Sequence, residues 1–218
     1  YDAGASVVHI HVRDPETGKP SPSPDLFYEV LSKIKKRCDV IIMPTTGGAA
    51  GQTIPEKLVP IRQLKPEMAT FNPAPYNLGL FQLVDRYSKF KFDWEKEYFE
   101  FLFDFTHTPS FAADIEYAKT FLEVDTKPEF EIYDLSHVAY VRWLIDEGLV
   151  KLPPDLQFVM GPMVGWIKPS IKHLIMFYEE AVETLGDGNF TWAAAGGGKW
   201  QIPLAVTARA MGATSSHL

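Results

Sequence analysis

His9 and His11 stand one residue apart in the run Val-Val-His-Ile-His-Val-Arg-Asp, residues 7–14. Val7, Val8, Ile10 and Val12 give this run the β-branched richness of a buried strand, and a strand sends side chains i and i+2 to one face. The two histidines therefore point the same way. Two imidazoles one pleat apart can hold a single zinc or similar ion through ring nitrogens at about 2.0–2.1 Å. The plainer alternative is one packed and one exposed histidine. Arg13 and Asp14, which end the strand in charge, favour the rim of a site.

Other candidates follow strands as well. Thr45, Thr46, Gly47 and Gly48 come after an apolar run at residues 40–43 and offer hydroxyls and bare backbone N–H groups to an anion such as a carboxylate, or make only a turn. Thr70 and Asn72 fall on one side of a short strand at residues 68–72, where they reach the histidine face or satisfy local backbone groups. Glu129, Glu131 and Tyr133 alternate with Phe130 and Ile132. Carboxylates turned into a barrel would be costly unless paired or functional, whereas a solvated edge would make the same pattern trivial. The architecture has to decide.

The elements that position these residues alternate. Helical spacing marks residues 25–37, 54–64, 112–122, 138–147, 169–184 and 202–211, and between them lie strands at residues 129–133, 156–161 and 190–195 besides those already named. No hairpin signal joins one strand to the next, so the pattern is that of a parallel sheet with helical crossovers. Six strands make an open doubly wound sheet or most of a (β/α)8 barrel. The Gly-x-Gly-x-x-Gly fingerprint is absent, since Gly196, Gly197 and Gly198 come late and lack its spacing, and the barrel gains from that. In a barrel the loops after the strands share one face, where His9, His11, Thr45, Gly48, Thr70, Asn72, Glu131 and Gly196 would converge. Residues 73–109, rich in aromatics, read as an excursion with a helix or two whose aromatics form a lid, a subunit contact or a satellite core, the last two being favoured.

Composition narrows the class. A chain of 218 residues, 46% hydrophobic, is long enough for one sizeable core. A net charge of -7 argues against nucleic acid and against an anionic membrane surface as partners. Cys38 is the lone cysteine, which excludes an internal disulfide and a cysteine-built zinc site and suits a reducing cytoplasm. No run reaches the roughly 18 apolar residues of a membrane span.

With these motifs in order, the chain resembles the β-keto acid cleavage enzymes, whose best-known member is the 3-keto-5-aminohexanoate cleavage enzyme of lysine fermentation. The resemblance rests on residues 3–14, on Thr-Thr-Gly-Gly at 45–48, on Lys-Pro-Glu-Met-Ala-Thr-Phe-Asn at 65–72, on Pro-Glu-Phe-Glu-Ile-Tyr-Asp at 128–134 and on Gly-Lys-Trp-Gln-Ile-Pro-Leu at 198–204. It implies a zinc-dependent TIM barrel that joins a β-keto acid to acetyl-CoA and releases acetoacetate and a new CoA thioester, working as a homodimer or homotetramer. His9 and His11 fall on two histidine ligands of the zinc. Thr45 falls on a contact to the substrate carboxylate, Gly48 on a neighbouring backbone contact, Thr70 and Asn72 on further pocket positions, and Glu131 on a carboxylate that lines the pocket, the catalytic candidate in this chain. Zinc in such a site polarises the keto oxygen, and a base then removes the adjacent proton.

The sequence also departs from that pattern. The family's first strand, with a pocket glutamate, and its eighth, with an Arg, the third zinc ligand Glu and an Asp, have no counterpart here. The expectation is strands two to seven of eight in one domain, a piece of an active enzyme or an inactive product. His217 as a replacement ligand is set aside, because a terminus is expected to be mobile. Two other readings stay open: a non-catalytic metal-binding remnant of the barrel, and a zinc-dependent aldolase or hydrolase that acts without CoA.

Overall fold

The computed structural model describes residues 1–48 and 50–217. In chain order the strands are β1 (Val7–Ile10), β2 (Ile41–Pro44), β3 (Met68–Phe71), β4 (Tyr76–Asn77), β5 (Thr106–His107), β6 (Lys127–Ile132), β7 (Asp155–Met160) and β8 (Thr191–Gly196). The helices are α1 (Pro24–Lys35), α2 (Ile54–Leu64), α3 (Asp93–Phe101), α4 (Phe111–Val124), α5 (His137–Asp146), α6 (Ile171–Leu185) and α7 (Gln201–Ala210). Serines cap three of the helix starts. Ser23, Ser110 and Ser170 accept from the backbone N–H of Leu26, Ala113 and His173 at 3.4, 3.2 and 3.1 Å.

Parallel ladders join β1 to β2, with His9 opposite Met43, and β3, β6, β7 and β8 in that order. Side chains bridge the two groups. The Thr46 N–H donates to Thr70 Oγ1 at 3.0 Å, and Thr46 Oγ1 donates to the Thr70 carbonyl at 2.7 Å. On the far side of β8, the Thr214 N–H donates to Trp192 O at 2.9 Å and His217 pairs in parallel with Ala195. The His217 ring then lies 5.7 Å from that of His9 in β1. One short segment thus touches both the first and the last parallel strand, which is the curvature of a closing barrel.

The His217 ring nitrogen Nδ1 is 2.7 Å from Gln157 Nε2, inside the curve of the sheet.

Alternation along the strands separates two faces. Phe71, Phe130, Ile132 and Phe158 enter the layer between sheet and helices, where they join Phe121, Val138, Val141, Phe177 and Trp192 in one core. Phe71 stacks on Tyr117 of α4 at 5.0 Å, and Phe158 on Phe177 of α6 at 5.3 Å. The opposite face carries Thr70, Glu129, Glu131 and Gln157. That face is the barrel interior, so the carboxylates of β6 do not stand on a solvated edge; Glu129 accepts from Gln157 Nε2 at 2.8 Å.

The excursion breaks the all-parallel rule. β4 and β5 pair antiparallel, with Tyr76 opposite His107, and pinch off a lobe that holds a 3-10 helix at Gly79–Arg86 and α3. The pairing is only two residues long on each side, and the strands are joined by the whole lobe rather than by a tight turn, so no turn signal announces it. Ring contacts such as Phe81 on Phe103 at 5.1 Å and Phe90 on Phe99 at 6.0 Å give the lobe its own aromatic cluster.

Candidate functional site

The strand ends open on a cavity of about 240 Å³ lined by His11, Thr45, Gly48, Asn72 and Glu131, and also by Lys57, Tyr76, His107 and Tyr133. Five of the eight residues expected from sequence to converge therefore share one space. His9, Thr70 and Gly196 do not line it. His9 faces a larger space of about 660 Å³ deeper in the barrel, and Thr70 is engaged by Thr46.

β1 and the residue that follows it set His9 and His11 side by side. His9 Nε2 and His11 Nε2 are 2.8 Å apart, with the rings edge to face at 76°. Burial, then His11 and His217, push His9 down to about 3. His11 is lowered in the same direction by burial, Arg13 and His217. Both shifts favour the uncharged ring, the form that ligates a metal. Two nitrogens on one tetrahedral zinc stand about 3.3 Å apart, so a shift of roughly half an ångström would open the pair to the ion. The residues fit two coordination positions. Among the described residues no group of three or more His, Cys, Asp or Glu side chains is arranged to hold a metal.

The loop after β2 is fixed from within. Thr45 Oγ1 accepts from the Gly47 N–H at 2.9 Å. Gly48 has a φ of +54°, in the left-handed region that favours glycine, while the atoms nearest to a Cβ there belong to the flexible end of the Gln52 side chain, which can swing aside. After β3, Asn72 Nδ2 donates to the Tyr76 hydroxyl at 2.7 Å, while Asn72 Oδ1 is buried with no partner among the described residues.

Glu131 opens into the cavity from β6, enclosed by protein elsewhere. Burial raises it to about 7, against hydrogen bonds from Tyr133 and Asn72 that favour the ionised form. The Tyr133 phenol is in turn pushed well above its ordinary value by burial and by Glu131. A carboxylate that titrates near neutrality, next to a small polar cavity, is equipped to take and return a proton.

Lys57, Tyr76 and His107 carried no sequence motif. A faint signal was present for Lys57, which occupies the apolar stripe of α2 beside Leu58 and Ile61, where an unpaired lysine is out of place. His107 had none, because β5 exists only through its pairing with β4.

The sequence profile of the beta-keto acid cleavage enzymes matches residues 1–215. The chain is 37% identical over 213 residues to the 3,5-dioxohexanoate:acetyl-CoA acetone transferase of Paraburkholderia graminis, covering 97% of this chain and 68% of that one. It is 30% identical to the 3-keto-5-aminohexanoate cleavage enzyme of Fusobacterium nucleatum, over 97% of this chain and 66% of that one. A solved structure, the binary complex of ObcA with oxaloacetate, superposes on the whole chain with a TM-score of 0.62 at 16% identity and is 53% covered, which speaks for the fold alone. This chain thus spans about two thirds of the length of the curated relatives and half that of ObcA. With a profile match along nearly its whole length and a relative above 30% identity, the chain belongs to the beta-keto acid cleavage enzyme family.

Proposed function

We propose that the protein condenses a β-keto acid with acetyl-CoA to give acetoacetate and a new acyl-CoA, with a zinc ion held in part by His9 and His11. The observation that carries this reading is the placement of an imidazole and a carboxylate of near-neutral pKa, His11 and Glu131, on one small cavity at the strand ends. The naming of acetyl-CoA in the Paraburkholderia relative supports the co-substrate. Zinc, when bound, supplies electrophilic polarisation of the keto oxygen.

The residues present divide the work. Thr45 and the Gly48 backbone receive the substrate carboxylate, and Asn72 orients the chain beyond it, while Thr70 fixes the loop through Thr46. Glu131 accepts the proton from the carbon between the two carbonyl groups. The resulting carbanion equivalent attacks the thioester carbonyl and expels CoA thiolate. That thiolate attacks the substrate's own keto carbon, the bond from this carbon to the former nucleophile breaks, and Glu131 returns its proton to acetoacetate. Every atom of both substrates is accounted for in the two products.

The test is acetoacetate release by the purified protein in its natural full length, with and without acetyl-CoA. Formation that depends strictly on acetyl-CoA supports the reading. Cleavage without CoA would show an aldolase or hydrolase instead, and no turnover of any β-keto acid would leave a non-catalytic metal-binding barrel. Homodimeric or homotetrameric assembly belongs to the same proposal and is read by light scattering.

A further inference from the structure

Lys57 enters the cavity from the first turn of α2. That turn is fixed by the Glu56 carboxylate, which accepts from the Thr53 N–H at 2.8 Å and from the Thr53 hydroxyl at 2.7 Å. Leu58 and Ile61 anchor the same face of the helix in the core with no exposed surface, and Lys57 itself is only 7% exposed. The surface lysines Lys33, Lys35, Lys96 and Lys151 all find carboxylates. Lys57 finds none among the described residues, and burial alone acts on it, lowering its basicity. A buried ammonium without a counter-charge is costly unless something else neutralises it.

His107 stands beside it. The ring packs on Tyr76 at 4.8 Å, is 8% exposed, and leaves Nε2 buried with no hydrogen-bond partner among the described residues. The Lys57 charge is near enough to disfavour protonation of this ring. Glu131, the carboxylate on the same cavity, is engaged by Tyr133 and makes no ion pair with Lys57. The protein therefore brings a cation and an uncommitted ring nitrogen to the cavity wall and leaves both to be satisfied by what enters.

We propose that Lys57 and His107 form the corner that receives the substrate's tail, selecting a chain that ends in an oxygen acceptor, ketone or carboxylate, and rejecting one that ends in an ammonium. This deepens the β-keto acid reading and rests on it. A ketone or carboxylate oxygen accepts from the Lys57 ammonium and removes its isolation, and the neutral His107 Nε2 accepts the O–H of the enol that a diketone forms. A substrate ammonium would instead set two cations in a space too small to hydrate both. At about 240 Å³ the cavity lies below the roughly 300–1,000 Å³ of drug-sized sites, which suits a short oxo acid and excludes the body of CoA.

The test measures binding without turnover. Glutarate, 5-oxohexanoate and 5-aminopentanoate are titrated calorimetrically into the protein in its natural full length, with no acetyl-CoA present. The expected result is that the first two bind at least about tenfold more tightly than the third. Lys57→Met, which keeps the length and apolar stem, removes that preference, Lys57→Arg retains it, and His107→Phe weakens 5-oxohexanoate; melting curves confirm that each variant folds. Equal or tighter binding of 5-aminopentanoate, an unchanged order in Lys57→Met, or no binding of any of the three overturns the assignment. Loss of acetyl-CoA-dependent acetoacetate formation on the same preparation would count against the proposed reaction, whatever the binding order.

Discussion

The Tyr133 hydroxyl donates to Glu131 Oε2 at 3.0 Å, and the Tyr133 ring stacks at 4.2 Å on Tyr76 of the excursion. The proposed base is therefore held by the lobe that the barrel pattern does not contain. Because the hydrogen bond favours the ionised carboxylate while burial opposes it, the balance near pH 7 depends on Tyr133. Acetoacetate formation should rise with pH and level off above about pH 7. Tyr133→Phe should move that midpoint upward by up to about one unit, and Glu131→Gln should lower the rate by about 10²–10⁴-fold. Rate profiles between pH 5.5 and 9 check all three, and a midpoint that ignores Tyr133→Phe would remove Glu131 as the titrating group.

Metal content tests the histidine pair. The full-length protein is expected to carry close to one zinc per chain, with His9→Ala and His11→Ala each losing it, since two of about four tetrahedral positions come from this strand. Elemental analysis after dialysis gives the answer. Zinc retained in either variant would mean that the 2.8 Å pair is only a hydrogen bond between two packed rings.

Asp114 provides a stability measurement independent of the chemistry. It is fully buried in the first turn of α4, with neither oxygen in a hydrogen bond of good geometry among the described residues. Burial raises its pKa from 3.8 to about 7, against a weaker opposing effect of the Ala74 backbone. Between those values the folded chain keeps a proton that the unfolded chain has released, so stability falls as pH rises through that window. The loss is on the order of 2–4 kcal/mol once pH exceeds the folded value. Melting temperature should drop from pH 5 to pH 8 in the parent and drop less in Asp114→Asn, which has no carboxylate to ionise.

Thr70 separates a positioning role from a substrate contact. Thr70→Val leaves the Thr46 N–H without its acceptor, which costs about 1–3 kcal/mol for a buried donor, and loosens the loop that carries Thr45 and Gly48. Thr70→Ser keeps the oxygen and should behave like the parent. Denaturant midpoints and KM are the readouts, and a change in kcat with unchanged stability would instead place Thr70 against the substrate.

Much of the fold could be read in advance because it depends on local periodicity. α2 spans residues 54–64, as the helical spacing predicts, and the alternation at β6 placed Glu129 and Glu131 opposite Phe130 and Ile132. Strand boundaries were less legible. β1 covers only four residues of a longer β-branched run, since hydrogen bonding ends where β2 gives way to the Thr45 loop.

By itself the sequence determined the order of strands and helices, the shared direction of His9 and His11, and the family, because each of these depends on neighbouring residues along the chain. Contacts between residues far apart were decided only in three dimensions. Whether Glu131 met solvent or a cavity depended on the excursion folding over the strand ends, where Tyr76, Tyr98 and Phe105 line the space beside it. The β4 to β5 pairing brought His107 to the strand ends, and the docking of α2 on the sheet turned Lys57 inward. No local pattern encodes these, since burial and electrostatic coupling belong to the packed chain as a whole.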